Sequence, residues 1–333
     1  MKNNLNYYIT KFFSNYLPLV KGVSKNTINS YRDTFVSLLN YLCNVKKIDI
    51  TNLQLNTLDN TLIEEYLLYL EEEKKNSIAT RNQRLAAIRS FYKYLKNREL
   101  SCFEIYSNIQ SIPNKKTPQN SLSYFSKKEI EILINLPNTK TKFGFRDYVL
   151  LLFMYETACR AQELADLTLK QLCINEHTYV SLIGKGNKER NVPLTKELKI
   201  VLSKYLSTFN ISNKDEFVFK NKYNEQFTTK GIEYILKKYI HEAKLKYSDK
   251  FRDNYSNHSM RHSRAMHLLE SGVNLIYIRD ILGHTSVVTT EIYAKTNPII
   301  KEKQILEHSQ KLNVKDRYSE HQKEDLLKFL STL

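Results

Sequence analysis

Thr178-Tyr179-Val180-Ser181-Leu182-Ile183-Gly184-Lys185-Gly186-Asn187-Lys188-Glu189-Arg190-Asn191-Val192-Pro193-Leu194 departs in pattern from the sequence on either side of it. Thr178, Tyr179, Val180, Leu182 and Ile183 favour an extended strand, because branched and aromatic side chains pack well on a pleated surface. Gly184 to Lys188 supplies a turn, and Asn191 to Leu194 ends a returning strand, so the stretch reads as a β-hairpin. The flanks read differently. Ser126 and Glu129 form an S-x-x-E capping box that opens a helix, and the apolar run Tyr148 to Tyr155 suits a buried helix. Gly272 is placed as a helix C-cap, and Gly283 breaks the chain before the segment that carries Tyr293. The fold class expected is mainly α, with one small β-sheet or hairpin in the second half.

The first third is helical as well. Ile28, Tyr31, Phe35, Leu38 and Leu42 recur at helical spacing after a possible N-cap at Ser24, and Leu85, Ile88, Phe91 or Tyr92, and Leu95 repeat the stripe. Residues 112–121, Ile-Pro-Asn-Lys-Lys-Thr-Pro-Gln-Asn-Ser, hold two prolines among polar neighbours without periodicity, so they read as an extended linker. The division expected is a helical module at 1–111, a linker at 112–121 and a second domain at 122–333. No internal repeat or low-complexity tract is visible.

The chain has 333 residues and a formal net charge of +16, with the excess of lysine and arginine spread over both halves. A charge of that size favours a polyanionic partner, nucleic acid before an anionic membrane. Lys25, Arg32, Arg81, Arg84, Arg89 and Lys93 lie on helices that a DNA backbone can touch, although any one of them is equally an ordinary solvated cation. The apolar runs are far shorter than the roughly 20 residues that span a bilayer, and the start of the chain lacks a signal-peptide pattern, so a cytoplasmic protein without membrane contact is expected. Cys43, Cys102, Cys159 and Cys173 form neither a C-x-x-C pair nor a zinc spacing, which predicts reduced, mostly buried thiols and no metal.

Cleaving a phosphodiester without a metal takes a nucleophile, cations around the non-bridging oxygens and an acid for the leaving oxygen. Arginine suits the phosphate because its planar fork donates two hydrogen bonds and keeps its charge, whereas lysine and histidine can give up a proton. Arg160, in Thr-Ala-Cys-Arg-Ala-Gln-Glu, taken alone is better explained by an ion pair with Glu163 three residues on. Lys185 sits in the hairpin turn between two glycines that let the backbone approach a ligand, with Lys188 in the same turn as an alternative. His258 and Arg261 lie three apart in His-Ser-Met-Arg-His and share a helix face, while His262 points elsewhere. His284 follows the break at Gly283, and Tyr293 comes nine residues later in Thr-Thr-Glu-Ile-Tyr-Ala-Lys.

The ordered set Arg160, Lys185, His258-x-x-Arg261, His284 and Tyr293, with these local contexts, resembles the tyrosine recombinase or phage integrase family, and especially its Xer-like bacterial members. The resemblance spans residues 122 to 300, and the N-terminal helices resemble the family's SAM-like core-binding domain more loosely. It implies a two-domain, C-shaped clamp on duplex DNA. It further implies that Arg160 and Arg261 clamp the scissile phosphate, that His258 and His284 bond to it and assist proton transfer, and that Lys185 is the general acid. Tyr293 is then the nucleophile, leaving a 3′-phosphotyrosyl end and a free 5′ hydroxyl, with no metal or nucleotide cofactor. Glu163 becomes a supporting residue that orients the arginine-bearing helix. Met260 stands where the family usually has leucine, a swap of similar volume.

Past Tyr293, Ser319 and Gln322 form another capping box, and Leu326, Leu327, Leu330 and Leu333 make an apolar stripe. The resemblance implies that this helix docks on a neighbouring subunit, giving a homotetramer, or a heterotetramer with a paralogue, on paired sites; the bland alternative packs it on its own domain. The function expected is site-specific recombination of DNA, as in dimer resolution or the integration and excision of phage or mobile elements. The alternatives are a type IB topoisomerase-like enzyme that relaxes DNA without pairing sites, and a non-catalytic DNA-binding protein on the same scaffold.

Overall fold

A computed structural model describes residues 4–117, 122–175, 177–184, 186–247, 251, 255–284, 286, 290–293 and 320–333. The chain divides into two compact units, Met1–Asn120 and Ser121–Leu333. Each has a hydrophobic core of its own.

The first unit is helical throughout: α1 (Leu5–Lys11), a π-helical continuation (Phe12–Val20), α2 (Lys25–Asn44), α3 (Asn60–Glu72), α4 (Ile78–Lys96) and α5 (Phe103–Ser111). Local chemistry sets the helix starts. Ser24, Asp59 and Ser77 each accept a hydrogen bond from the backbone amide of the third residue of α2, α3 and α4, satisfying amides that have no partner inside the helix. The stripes on α2 and α4 face each other, and Phe35 and Phe91 meet edge-on at 5.1 Å between ring centres. Each such buried ring or leucine contributes about 1.5–3 kcal/mol by leaving water.

The second unit opens on α6 (Lys127–Asn135), whose capping box is complete: Ser126 accepts from the Glu129 amide and Glu129 accepts from the Ser126 amide. Then come α7 (Lys142–Thr157), the short α8 (Ala161–Ala165), strands β1 (Leu172–Cys173), β2 (Tyr179–Ile183) and β3 (Glu189–Pro193), and helices α9 (Lys196–Thr208), α10 (Thr229–Lys246), α11 (Asn257–Glu270) and α12 (Leu275–Leu282). The expected hairpin is therefore the larger part of a three-stranded antiparallel sheet in the order β1-β2-β3. The added strand is two residues long, too short to leave a periodicity. Val180 pairs with Val192, and with Leu182 they turn one face of the sheet into the core, the alternation that a pleated strand imposes. A helix at Glu320–Ser331 follows, with Leu326, Leu327 and Leu330 all more than half exposed. Ser319, the expected cap of that helix, lies outside the described residues.

Cys102 and Cys159 are buried, Cys173 is half-buried and Cys43 is exposed, all unpaired. Among the described residues no helix is long and apolar enough to cross a membrane.

Candidate active site

Helix α7 ends on Ala158, whose backbone is left-handed at φ 49° although it carries a side chain. That conformation costs about 1–2 kcal/mol for a residue other than glycine and persists where the surroundings enforce it. Here they do: Ala158 is fully buried, and its carbonyl accepts a 2.7 Å hydrogen bond from Nη1 of Arg261. The reversal turns the chain so that Arg160 becomes the residue immediately before α8. Glu163 accepts from the Arg160 backbone amide at 2.8 Å and from Arg160 Nη1 at 2.7 Å. The ion pair that competes with a functional reading of Arg160 thus exists, and it leaves the arginine side chain 31% exposed while the glutamate is 4% exposed. The guanidinium is therefore both anchored and reachable.

Arg261 is buried in the first turns of α11. Its Nη1 bonds Ala158 and its Nη2 bonds the carbonyl of Leu282, which leaves its remaining N–H groups to serve a ligand. Burial, then the charges of Arg160 and Arg190, bring its pKa down to about 10, still cationic at neutral pH. His258, one turn earlier, keeps part of its surface open to solvent, yet the desolvation of its ring by its neighbours, then Arg261 and Arg160, hold it below the usual histidine value. It stands at the N-terminal end of α11, where the helix dipole favours an anion.

His262 does not point away from the site, as its offset from His258 and Arg261 on the helix predicts. Its Nδ1 lies 2.9 Å from the hydroxyl of Tyr293, and its pKa falls to about 4 through burial, His258 and Arg261. Sharing a face with Arg261 is not the only way into the site, because Tyr293 approaches α11 from the side.

Helix α12 ends as the glycine pattern predicts. Gly283 is left-handed at φ 61°, its amide bonds the carbonyl of Asp280, and the His284 amide bonds that of Arg279, a Schellman closure. His284 leaves this turn with its Nδ1 3.1 Å from the Thr290 hydroxyl, which orients the ring. Burial, then Arg261 and Arg160, lower its pKa to about 4, so it is neutral at pH 7. Tyr293 is 1% exposed in a small core with Ala158, Ala265, Met266, Ile278 and Leu282. Burial raises its pKa, while Arg261 and Arg160 act in the opposite direction on the same hydroxyl.

Lys185 lies outside the described residues, but its neighbours do not. A Cβ on Gly184 would lie 3.4 Å from Glu163 Oε1 and 3.5 Å from Nη1 of both Arg160 and Arg190, so the strand leading to Lys185 passes over the arginine–glutamate cluster. Lys188 is exposed. Arg190, on β3, carries no local sequence signal of its role. Its Nη1 and Nη2 donate to Glu163 at 2.9 and 2.7 Å, and its Nε donates to the Ile281 carbonyl at 2.7 Å.

The six cations on the first unit divide into two groups. Arg81 is buried and bonds the Pro113 carbonyl, Arg84 bonds the Ser30 carbonyl and the Thr34 hydroxyl, and Arg89 closes the end of α5 through the carbonyls of Ile109, Gln110 and Ile112. Lys25, Arg32 and Lys93 are exposed. Among the described residues, no three His, Cys, Asp or Glu side chains are grouped to hold a metal ion.

Residues 123–298 match the profile of the phage integrase family, and residues 10–99 match that of the phage integrase N-terminal SAM-like domain. The chain is 30% identical to the tyrosine recombinase XerD of Oceanobacillus iheyensis, over 95% of its own length and 98% of that relative's. It is 30% identical to XerD of Haemophilus influenzae over 86% of its length and 93% of the relative's. Among solved structures, it resembles XerH site-specific recombinase bound to a palindromic difH substrate in a post-cleavage complex, with TM-score 0.67 and 21% identity, covering 85% of this chain and 80% of that one. It also resembles the Tn1549 transposon integrase in complex with transposon right-end DNA, with TM-score 0.68 and 14% identity, covering 92% and 99%.

Proposed function

Since the chain belongs to the phage integrase family of tyrosine recombinases, we propose that Tyr293 cuts DNA as the nucleophile of a site built from Arg160, Arg261, His258 and His284. The enzyme is a site-specific recombinase, and its partner is DNA. The observation that carries the site is geometric: Arg261 bonds the carbonyls of Ala158 and Leu282, which share a small core with Tyr293, and Arg160 and His284 each lie two residues beyond one of those carbonyls. A phosphate entering between these groups meets two guanidiniums and two imidazoles whose N–H groups can donate to its non-bridging oxygens.

In cleavage the Tyr293 hydroxyl gives up its proton to the histidines of the site, the role that the family positions of His258 and His284 imply; its oxygen then bonds to phosphorus and the bond from phosphorus to the 5′ oxygen breaks. Lys185 on the hairpin turn supplies the proton to that oxygen, as its family position implies, with Lys188 the exposed alternative. Arg160 and Arg261 neutralise the charge that builds on the non-bridging oxygens. The phosphotyrosyl ester conserves the energy of the broken bond, so a 5′ hydroxyl from another strand can reverse the step without nucleotide hydrolysis. Glu163 takes no proton in this scheme, since its two oxygens already accept bonds from Arg160 and Arg190. The exposed Lys25, Arg32 and Lys93 contact the DNA backbone, and the leucines of Glu320–Ser331 dock on a neighbouring subunit in a tetramer on paired sites. The protein works in the cytoplasm.

The test uses nicked duplexes carrying the recombination site from the gene's own neighbourhood, with covalent protein–DNA adducts resolved on a denaturing gel. The wild type forms an adduct, and Tyr293→Phe binds the duplex and forms none. An adduct from Tyr293→Phe assigns the chemistry to another nucleophile. Relaxation of plasmids that lack the site would instead favour a topoisomerase.

A further inference from the structure

Four hydrogen bonds converge on the Glu163 carboxylate, two from Arg160 and two from Arg190. That fills the roughly four acceptor positions a carboxylate offers. The two arginines nevertheless differ. Arg160 remains 31% exposed, whereas the Arg190 side chain is 9% exposed and directs its third donor, Nε, to the Ile281 carbonyl at the end of α12. The turn that follows carries His284. Gly283 in that turn lies so close that a Cβ there would fall 2.9 Å from Arg190 Cδ and 3.1 Å from its Nη1. One buried guanidinium therefore touches the anchor of Arg160 on one side and the turn that presents His284 on the other.

The charges give this placement a purpose. With Arg160 as its sole partner, the buried Glu163 carboxylate would draw on the Arg160 charge and weaken the field that the arginine presents to a phosphate. Adding Arg190 changes the cluster of one anion and one cation into one anion and two cations, so a full positive charge remains at the exposed end. Burial pushes the Glu163 carboxyl up, but the bonds and charge of Arg190, then those of Arg160, win and hold it below the ordinary glutamate value.

We propose that Arg190 is a positioning residue for strand cleavage, neutralising Glu163 so that Arg160 keeps its charge for the scissile phosphate and tying the Gly283–His284 turn to the same carboxylate. It acts through Arg160 and His284 rather than by touching DNA, and the proposal rests on the reading of those two as phosphate ligands.

The full chain is tested as wild type and as Arg190→Met, a change of similar length without charge. Three quantities are measured: thermal midpoint, affinity for the site duplex, and the single-turnover rate of adduct formation at saturating protein. The expected result is a cleavage rate lower by about 30- to 100-fold, because a misplaced or partly neutralised phosphate ligand costs on that scale, with affinity changed by less than about threefold. The second readout replaces the scissile phosphate by a methylphosphonate, which lacks one charged oxygen and so demands less of Arg160. On that substrate the gap between wild type and Arg190→Met narrows, which a general loss of structure would not produce. If Arg190→Met does not fold, Arg190→Lys is read in its place, since one ammonium keeps the buried charge but cannot reach both Glu163 oxygens and Ile281. Wild-type cleavage by the variant, equal defects on both substrates, or failure of both variants to fold would overturn the proposal. Absence of an adduct with the wild type would instead overturn the reading of Tyr293.

Discussion

The hydroxyl of Tyr293 lies 2.9 Å from Nδ1 of His262, in a core where the tyrosine ring is 1% exposed. The two residues are 31 apart in sequence and come from different helical segments. With its pKa pushed down to about 4, His262 is neutral at pH 7, and in the tautomer that carries its proton on Nε2 its Nδ1 accepts from the tyrosine hydroxyl.

Replacing His262 by phenylalanine leaves that hydroxyl without its partner while keeping a ring in place. Cleavage should slow by about 10- to 100-fold in single-turnover adduct assays, with DNA affinity retained. His262→Asn, whose amide reaches the Nδ1 position, should recover most of the rate. Wild-type speed in the phenylalanine variant would remove His262 from the site.

Arg160→Ala should lower cleavage by about 100- to 1,000-fold. Binding is spread over many basic groups, so affinity should fall only a few fold and the salt dependence of binding should lessen by about one counterion. Comparable losses in rate and affinity would mean that Arg160 serves the fold.

Gly283→Ala and Gly22→Ala separate backbone strain from side-chain collision. Both positions are left-handed, at φ 61° and 60°, but a Cβ at 283 meets Arg190 whereas one at 22 meets nothing within 4 Å. Gly22→Ala should cost about 1–2 kcal/mol of stability and leave cleavage unchanged. Gly283→Ala should cost more and slow cleavage as well; equal behaviour in melting and adduct assays would contradict the close packing of Arg190.

Stability should fall with acid well before the carboxylates titrate. His262, His267 and His284 have folded pKa values of about 4 against an ordinary 6.5, so between those values the unfolded chain binds protons that the folded chain does not. Their contribution is complete above pH 6.5 and is lost as pH drops through 4, at about one proton per histidine. The thermal midpoint should therefore decline from pH 7 to 4.5, and His262→Asn should flatten that slope. A midpoint that holds steady over this range would show that the rings are already accessible to protons.

Removing residues 320–333 deletes a helix whose leucines the rest of the chain leaves exposed. The shortened protein should bind a single site duplex normally but lose paired-site complexes in gel shifts and lose strand exchange. Unchanged assembly would place the subunit contact elsewhere.

Much of the site was readable because its members sit in locally recognisable settings. The capping box at Ser126 and Glu129, the glycine that ends α12 and the hairpin between Tyr179 and Pro193 are short-range effects, and each formed where the pattern puts it. Arg81, Arg84 and Arg89 show the limit of that reading. A cation at helical spacing looks the same whether it faces solvent or bonds a carbonyl, and these three bond Pro113, Ser30 and Ile109. Ala158 gave no signal at all, since alanine carries no preference for the left-handed backbone it adopts.

The helical class, the single sheet region and the ordered set of arginines, histidines and tyrosine follow from the amino-acid order, because periodicity, capping and residue chemistry act over a few neighbouring positions. That Arg190 reaches Glu163 across 27 residues and Ile281 across 91, and that His262 meets Tyr293, is written in no local pattern. Those contacts depend on where whole helices pack, and buried charges and hydroxyls take whichever partners that packing brings within hydrogen-bonding reach.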